Sequence, residues 1–332
     1  MSSILNLSEK PVREEIDDYE LTIETIVATR HLVSHDLRGQ SHVARWMKTS
    51  SRNAILPNNS VRPDLTIEVP KNDASPAYRA VNEIKANLPK AKKFWLEDVE
   101  QLKKYDDELE NWDIPPPMTH DIIFTTNGYR TYDFNNYLND LDSEGTLRFE
   151  KKVCIVARSR ETGTQTFISL KKEYGEISNP ALDLLLAKRW GVNLEHILAE
   201  THKLKFYDAE PPAVYTMNII WDIILKLFVP PEQFRQLKGR KTIPIEVTLD
   251  QLYKAICVYA PDSSNPCIKR DWVRRAISGF IELGVASRIP GAEEKYEISI
   301  GVHRGKEKKD WIFRRISDLK ESREGQGTLP TE

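Results

Sequence analysis

The sequence predicts an α/β protein: a mixed sheet flanked by helices over roughly the first 165 residues, followed by a mainly α-helical domain that closes with a hairpin. Three observations predict it. Apolar residues recur at three and four near the start, five strand-like runs separated by helical or turn-rich segments follow, and beyond residue 212 three helical runs precede two short β-like runs.

Behind Ser8 and Pro11, the positions Val12, Ile16, Tyr19, Ile23, Ile26 and Val27 form one apolar stripe, so a helix is expected to about Arg30. "SHVARWMKTS" reads as a second, shorter helix. "NAIL" and "DLTIEV" read as strands across the turn-rich "PNNSVRP", and "YRAVNEIKANL" as a third strand. In "KKFWLEDVEQLKKYDDELENW" the residues Phe94, Val99, Leu102, Tyr105 and Leu109 keep helical spacing, which predicts about five turns ending before "DIPPPM", where proline cannot continue the ladder. "HDIIFTTN" and "KKVCIVARS" are strands on either side of a short helix around "DFNNYLNDL". "NPALDLLLAKRWGVNLEHILAETHKL" reads as helical with an interruption at Gly191, and "YDAEPP" as a linker.

Three helices are expected next, in "VYTMNIIWDIILKLF", "TLDQLYKAICVYA" and "KRDWVRRAISGFIELG". The last carries Ile268, Trp272, Ala276, Ile277, Phe280 and Ile281 on one face and Gly284 past its end. "VASRIP" and "KYEISIG" then form a hairpin around "GAEE". Three helices and a hairpin in this order resemble a winged-helix domain. Lys269, Arg270, Arg274 and Arg275 lie mostly off the apolar face of its third helix, as a helix entering a DNA groove requires. Winged helices also dock proteins, and both partners stay open. The expected organisation is therefore 1–165, 166–212 as a helical connector, 213–302 as the winged-helix-like domain, and 303–332 as a basic, partly disordered tail.

The chain has 332 residues, 40% hydrophobic and 30% charged, enough for two or three packed domains. No run approaches a membrane-spanning length, and "MSSILNLSEKPVREE" lacks the features of a secretory signal, so cytoplasmic residence is expected. Cys154, Cys257 and Cys267 fit no common zinc spacing and read as reduced thiols. The net charge of −2 is unevenly spread. Residues 1–30 carry seven acids and three bases, residues 303–323 eight bases and four acids, and "KANLPKAKK" (85–93) four bases and no acid, so basic surface can be presented locally. No Gly-rich phosphate loop, G-x-S-x-G elbow or H-E-x-x-H pair occurs, which leaves nucleotide hydrolysis, serine hydrolysis and zincin chemistry without a motif.

Asp64 opens the run "DLTIEV", and Glu83 and Lys85 share one face of the next strand by period-two alternation. Carboxylates are the ligands a hard divalent cation needs, and a lysine beside them can orient attacking water or stabilise charge on phosphorus. On the following helix, Gln101 and Tyr105 lie four apart on one face, where Tyr105 could equally be a core residue. These motifs, Pro-Asp, then "EIK" after a 19-residue gap, then "QLKKY", resemble the PD-(D/E)XK nuclease superfamily and its RecB-like Gln-x-x-x-Tyr branch. The resemblance implies a restriction-endonuclease-like fold and a DNA endonuclease dependent on Mg2+ (or Mn2+). Asp64 and Glu83 would hold the metal, Lys85 would act on water, and Gln101 and Tyr105 would support substrate or lysine. Such families usually add an acid or histidine from the helix before the sheet. Glu24 or Glu20 is the expected acid, with Glu14 and Glu15 solvated, and His31, His35 and His42 are the histidine alternatives.

Defence, restriction and DNA mobility are compatible settings, and nuclease plus winged helix is similar in architecture to transposase endonuclease subunits. The alternatives are an RNA nuclease and a non-catalytic DNA-binding or assembly protein with a nuclease-like fold.

Overall fold

Every side chain of Leu65–Val69 and Tyr78–Ile84 is buried, as strands covered on both faces require. They form β1 and β2 of the computed structural model, which describes residues 12–33, 63–69, 71, 77–107, 109, 119–197, 205–206, 210–230, 232, 242–259, 268–301 and 315–316. The chain divides into one unit of Asp17–Ala209 and another of Met1–Ile16 with Glu210–Glu332.

The first unit is a mixed six-stranded sheet flanked by helices: α1 (Val12–His31), β1, β2, α2 (Trp95–Lys104), β3 (Asp121–Asn127), α3 (Thr131–Ser143), β4 (Val153–Thr162), β5 (Thr166–Gly175), α4 (Pro180–Ala187) and β6 (Trp190–Asn193). Strands lie side by side in chain order. β2, β3 and β4 are parallel, joined through α2 and α3, while β1, β5 and β6 add antiparallel pairs. Alternation sorts the two faces. Val81, Ile122, Phe124 and Ile155 join Trp95, Val99, Leu102, Tyr105 and Phe134 of α2 and α3 in one core. On the opposite face Arg158 of β4 donates to Thr25 Oγ1 at 3.2 Å, and α1 covers that side. Glu83 and Lys85 share parity with Val81, so they face α2.

Three expectations are corrected here. Of the helix expected over 92–112, the described residues form a 3-10 turn, Lys92–Phe94, and then α2, which ends at Lys104. Its end is set by Asp106, whose carboxylate accepts the amides of Glu150 (2.9 and 3.0 Å) and Lys151 (2.8 Å), while His120 meets the Tyr105 carbonyl at 2.7 Å. Over its described part, 179–197, the interrupted helix expected over 179–204 becomes α4 and then β6. Asn179 caps α4 by accepting from Leu182, Arg189 turns out of the helix at φ 59°, and Phe167–Leu170 pair with 190–193. Residues 166–197 therefore lie in the first unit and give its sheet β5 and β6, with α4 between them, and are not a helical connector. β5, which the sequence reading lacks, turns at Gly175, whose φ is +78° and where a Cβ would meet the Val153 carbonyl at 2.0 Å.

The second unit contains α5 (Ala213–Ile223, continuing as a π turn to Phe228), β7 (Thr242–Thr248), α6 (Leu249–Cys257), α7 (Arg270–Glu282), β8 (Ala286–Arg288) and β9 (Lys295–Gly301). Its sheet runs β7-β9-β8. The three expected helices and the hairpin are present, with β7 in addition. β7 alternates buried Ile243, Ile245 and Val247 with exposed neighbours, and Pro244 is tolerated because the strand is an edge. Thr248 and Gln251 form a capping box at α6, and Gly284, at φ +70°, ends α7. Trp272, Val273, Ala276, Ile277 and Phe280 are the buried stripe of α7.

No helix among the described residues is long and apolar enough to cross a membrane. Cys154 and Cys257 are free thiols. The helix expected at "SHVARWMKTS", the strand "NAIL", His35, His42, Cys267 and most of 303–332 lie outside the described residues.

Candidate active site

β1 and β2 are antiparallel neighbours, with Leu65 opposite Asn82, so Asp64, one residue before β1, falls at the level of Glu83. Its Oδ2 accepts the Ile84 amide at 2.8 Å. This side-chain bond extends the ladder by one step and ties Asp64 to the strand that carries Glu83 and Lys85. At the same end the Lys85 amide donates to the Thr125 carbonyl at 2.9 Å, which continues the pairing of β2 with β3.

The α2 face closes over this point. Leu102 and Val99 bury themselves in the core, and the 3.6-residue period then turns Asp98, Gln101 and Tyr105 toward β2. Glu83 is only 3% exposed. Its Oε1 accepts from Gln101 Nε2 at 2.8 Å and its Oε2 from the Tyr105 hydroxyl at 2.8 Å. Lys85 Nζ lies 3.1 Å from Glu83 Oε1 and 3.4 Å from Asp98 Oδ1, and donates to Gln101 Oε1 at 3.1 Å. The Gln101 amide has one sensible orientation here: nitrogen to a carboxylate, oxygen to an ammonium. Gln101 Nε2 also lies 3.2 Å from the Tyr105 hydroxyl.

Burial pushes the Glu83 carboxyl above its ordinary value, although Lys85 and the Tyr105 hydroxyl pull it down. Asp98 is raised by burial against the same lysine. For Lys85 burial works downward, but Glu83, Asp98 and Asp64 outweigh it, so its pKa is raised and it remains a cation. Tyr105 is pushed up by burial and by Glu83, which keeps its hydroxyl a neutral donor.

The structure thus brings Glu83, Lys85, Gln101 and Tyr105 into one hydrogen-bonded group, with Asp64 bound to the adjacent amide. Sequence reasoning missed Asp98. It stands one helical turn before Gln101 on the stripe 98, 101, 105, and extending the Gln-x-x-x-Tyr face by that turn finds it.

Glu24 is not brought to this group. It sits on α1, across the sheet from Glu83, where its Oε1 pairs with Arg160 at 3.1 Å. The reason is parity: Arg158 and Arg160 of β4 point to the α1 face and draw the helix carboxylate to themselves. Burial raises Glu24 against the pull of Arg160. His31 packs on Trp190, with ring centroids 6.3 Å apart. Among the described residues no three His, Cys, Asp or Glu side chains are grouped as a metal site.

In the second unit Lys269, Arg270 and Arg274 are exposed at α7 while Arg275 is half-buried, and each arginine meets at least one carboxylate. Arg270 lies 3.4 Å from both Asp250 and Glu294, Arg274 lies 2.9 Å from Glu294 and also pairs with Asp271, and Arg275 pairs with Glu210. Lys269 Nζ stands 5.9 Å from the Trp272 ring.

Compared with known proteins, the chain matches no family model, no curated protein and no solved structure.

Proposed function

We propose that the first unit is a metal-dependent nuclease of PD-(D/E)XK type hydrolysing phosphodiester bonds in DNA, with the restriction-endonuclease-like core given by α1, β1, β2, α2, β3, α3 and β4. The observation that carries the reading is Lys85, a lysine held as a cation within 3.1 Å of buried Glu83, on the strand whose next-door amide holds Asp64.

The residues present suit a divalent cation. Glu83 and Asp98 are carboxylates whose burial is under-compensated by one lysine, and a hard cation relieves that deficit. Asp64 and Glu83 would hold Mg2+ or Mn2+, which supplies an acidified water and neutralises charge on the phosphate. Lys85 would set a fixed positive charge beside the attacking water or the phosphoryl oxygen. Gln101 fixes the lysine relative to Glu83, and Tyr105 holds the second Glu83 oxygen, so both act as positioning residues. A crystal soaked in manganese tests the assignment. Anomalous density between Asp64 and Glu83 is expected, and an ion bound elsewhere or nowhere overturns it.

For the second unit, helix, strand, two helices and two strands with the order β7-β9-β8 support a winged-helix reading, with α7 as the helix offered to DNA or to a protein. A second reading of the first unit, a non-catalytic nucleic-acid-binding or assembly protein, draws on one observation: both Glu83 oxygens already accept hydrogen bonds from within the chain. RNA is the alternative substrate, decided by parallel digestion of both nucleic acids.

A further inference from the structure

The parallel strands β2, β3 and β4 end on one edge of the sheet, and the segments that leave β2 and β3 rise there beside Lys85. In open α/β sheets this carboxyl edge is where ligands bind. Residues 85–93 and 128–132 contain Lys85, Lys90, Lys92, Lys93 and Arg130 and no acid. Arg130 Nη1 donates to the Lys90 carbonyl at 3.3 Å, and Asn127 donates to Asn87, so the two segments form a single rim.

Aromatic side chains are displayed on the same rim. Four large aromatics are exposed among the described residues, Phe94, Tyr129, Tyr132 and Phe167, and the first three stand here, at 48%, 94% and 64% exposure. Single exposed apolar residues need no explanation, but three of four carried on two base-rich segments at one sheet edge do. Phe94 also opens the stripe 94, 98, 101, 105, which leads by helical steps from the rim to Glu83. Lys93 Nζ lies 4.8 Å over its ring.

We infer that this rim is a binding platform for single-stranded nucleic acid, on which Phe94, Tyr129 and Tyr132 stack bases while Lys90, Lys92, Lys93 and Arg130 follow the phosphates. Duplex bases are stacked on each other and unavailable to such rings, whereas an unpaired strand offers both the π face and the backbone charge that the rim matches. The inference rests on the nuclease reading for the fate of the bound strand, and names its substrate class as unpaired or splayed.

The test is fluorescence anisotropy of the full chain at fixed salt in EDTA, so that nothing is cut, with a labelled oligothymidylate and a labelled hairpin duplex of equal charge. Wild type is expected to prefer the oligothymidylate. Combined Phe94→Ala, Tyr129→Ala and Tyr132→Ala is expected to weaken it by about tenfold or more and to change duplex binding less than about twofold, because each lost stack acts on unpaired bases alone. The conservative set Phe94→Tyr, Tyr129→Phe and Tyr132→Phe retains wild-type affinity. Should the triple alanine chain not fold, Tyr129→Ala alone replaces it, with an expected loss of about threefold. Preference for duplex, equal loss on both probes, no loss, or no binding by wild type overturns the inference. A chain that binds this way but cuts nothing with manganese keeps the platform and loses the nuclease; one that cuts duplex and ignores oligothymidylate does the reverse.

Discussion

Gln101 joins Lys85 to Glu83: its side-chain oxygen accepts from Lys85 Nζ at 3.1 Å while its nitrogen donates to Glu83 Oε1 at 2.8 Å. Replacing it by Met keeps the length and removes both bonds. Glu83 Oε1 then loses a donor in a buried site, and Gln101→Met is expected to cost about 1–3 kcal/mol in urea unfolding with an unchanged m value. Tyr105→Phe removes the donor to the other oxygen and should cost a similar amount, and the two losses should be non-additive because they share Glu83.

Glu83 sets a pH dependence of stability. Its carboxyl is raised above the ordinary 4.5 by burial, so the folded chain binds that proton more tightly than the unfolded chain. Its contribution is full below 4.5 and is lost as pH rises through the folded value. Thermal unfolding of wild type against Glu83→Gln checks this: the difference between the two curves should shift against wild type as pH rises above 4.5, and a difference independent of pH contradicts it.

Asp106 acts in the opposite sense. Burial pushes it up, but Lys103 and the amides of Glu150 and Lys151 outweigh burial and hold it below the ordinary 3.8. Its stabilisation is present above 3.8 and is lost as pH falls through the folded value. Asp106→Ala is expected to cost about 2 kcal/mol near neutral pH, since it strands two part-buried amides, and to lose less on acidification than wild type does.

Glu294 neutralises Arg270 and Arg274 on the exposed side of α7. If that face meets nucleic acid, Glu294→Gln should raise duplex affinity by about three- to tenfold at low salt and steepen the salt dependence. An unchanged affinity would direct the α7 face toward a protein partner instead.

The strands that build the site were legible because they are short apolar runs with turn residues at their ends, and the stripe of α2 was legible from its period. What escaped is long-range. Asp106 ends α2 through amides forty-four residues away, which no local spacing records. β6 forms from "WGVN" because β5 offers it an edge, and its own residues read equally well as a broken helix. β7 did carry a readable alternation at Ile243, Ile245 and Val247, with Pro244 obscuring it. Glu24 satisfied the stripe of α1, yet the side of the sheet on which that stripe lands is decided by Arg158 and Arg160 of a strand far along the chain.

Cleavage of supercoiled plasmid in magnesium or manganese, by wild type beside Lys85→Ala, tests the central claim most directly. Wild type is expected to nick and linearise the plasmid, and Lys85→Ala, which loses the cation held at Glu83 and Gln101, to be slower by about a hundredfold or more. Cleavage undiminished in the variant, or no cleavage together with no metal binding by wild type, would contradict an active site at Asp64, Glu83 and Lys85.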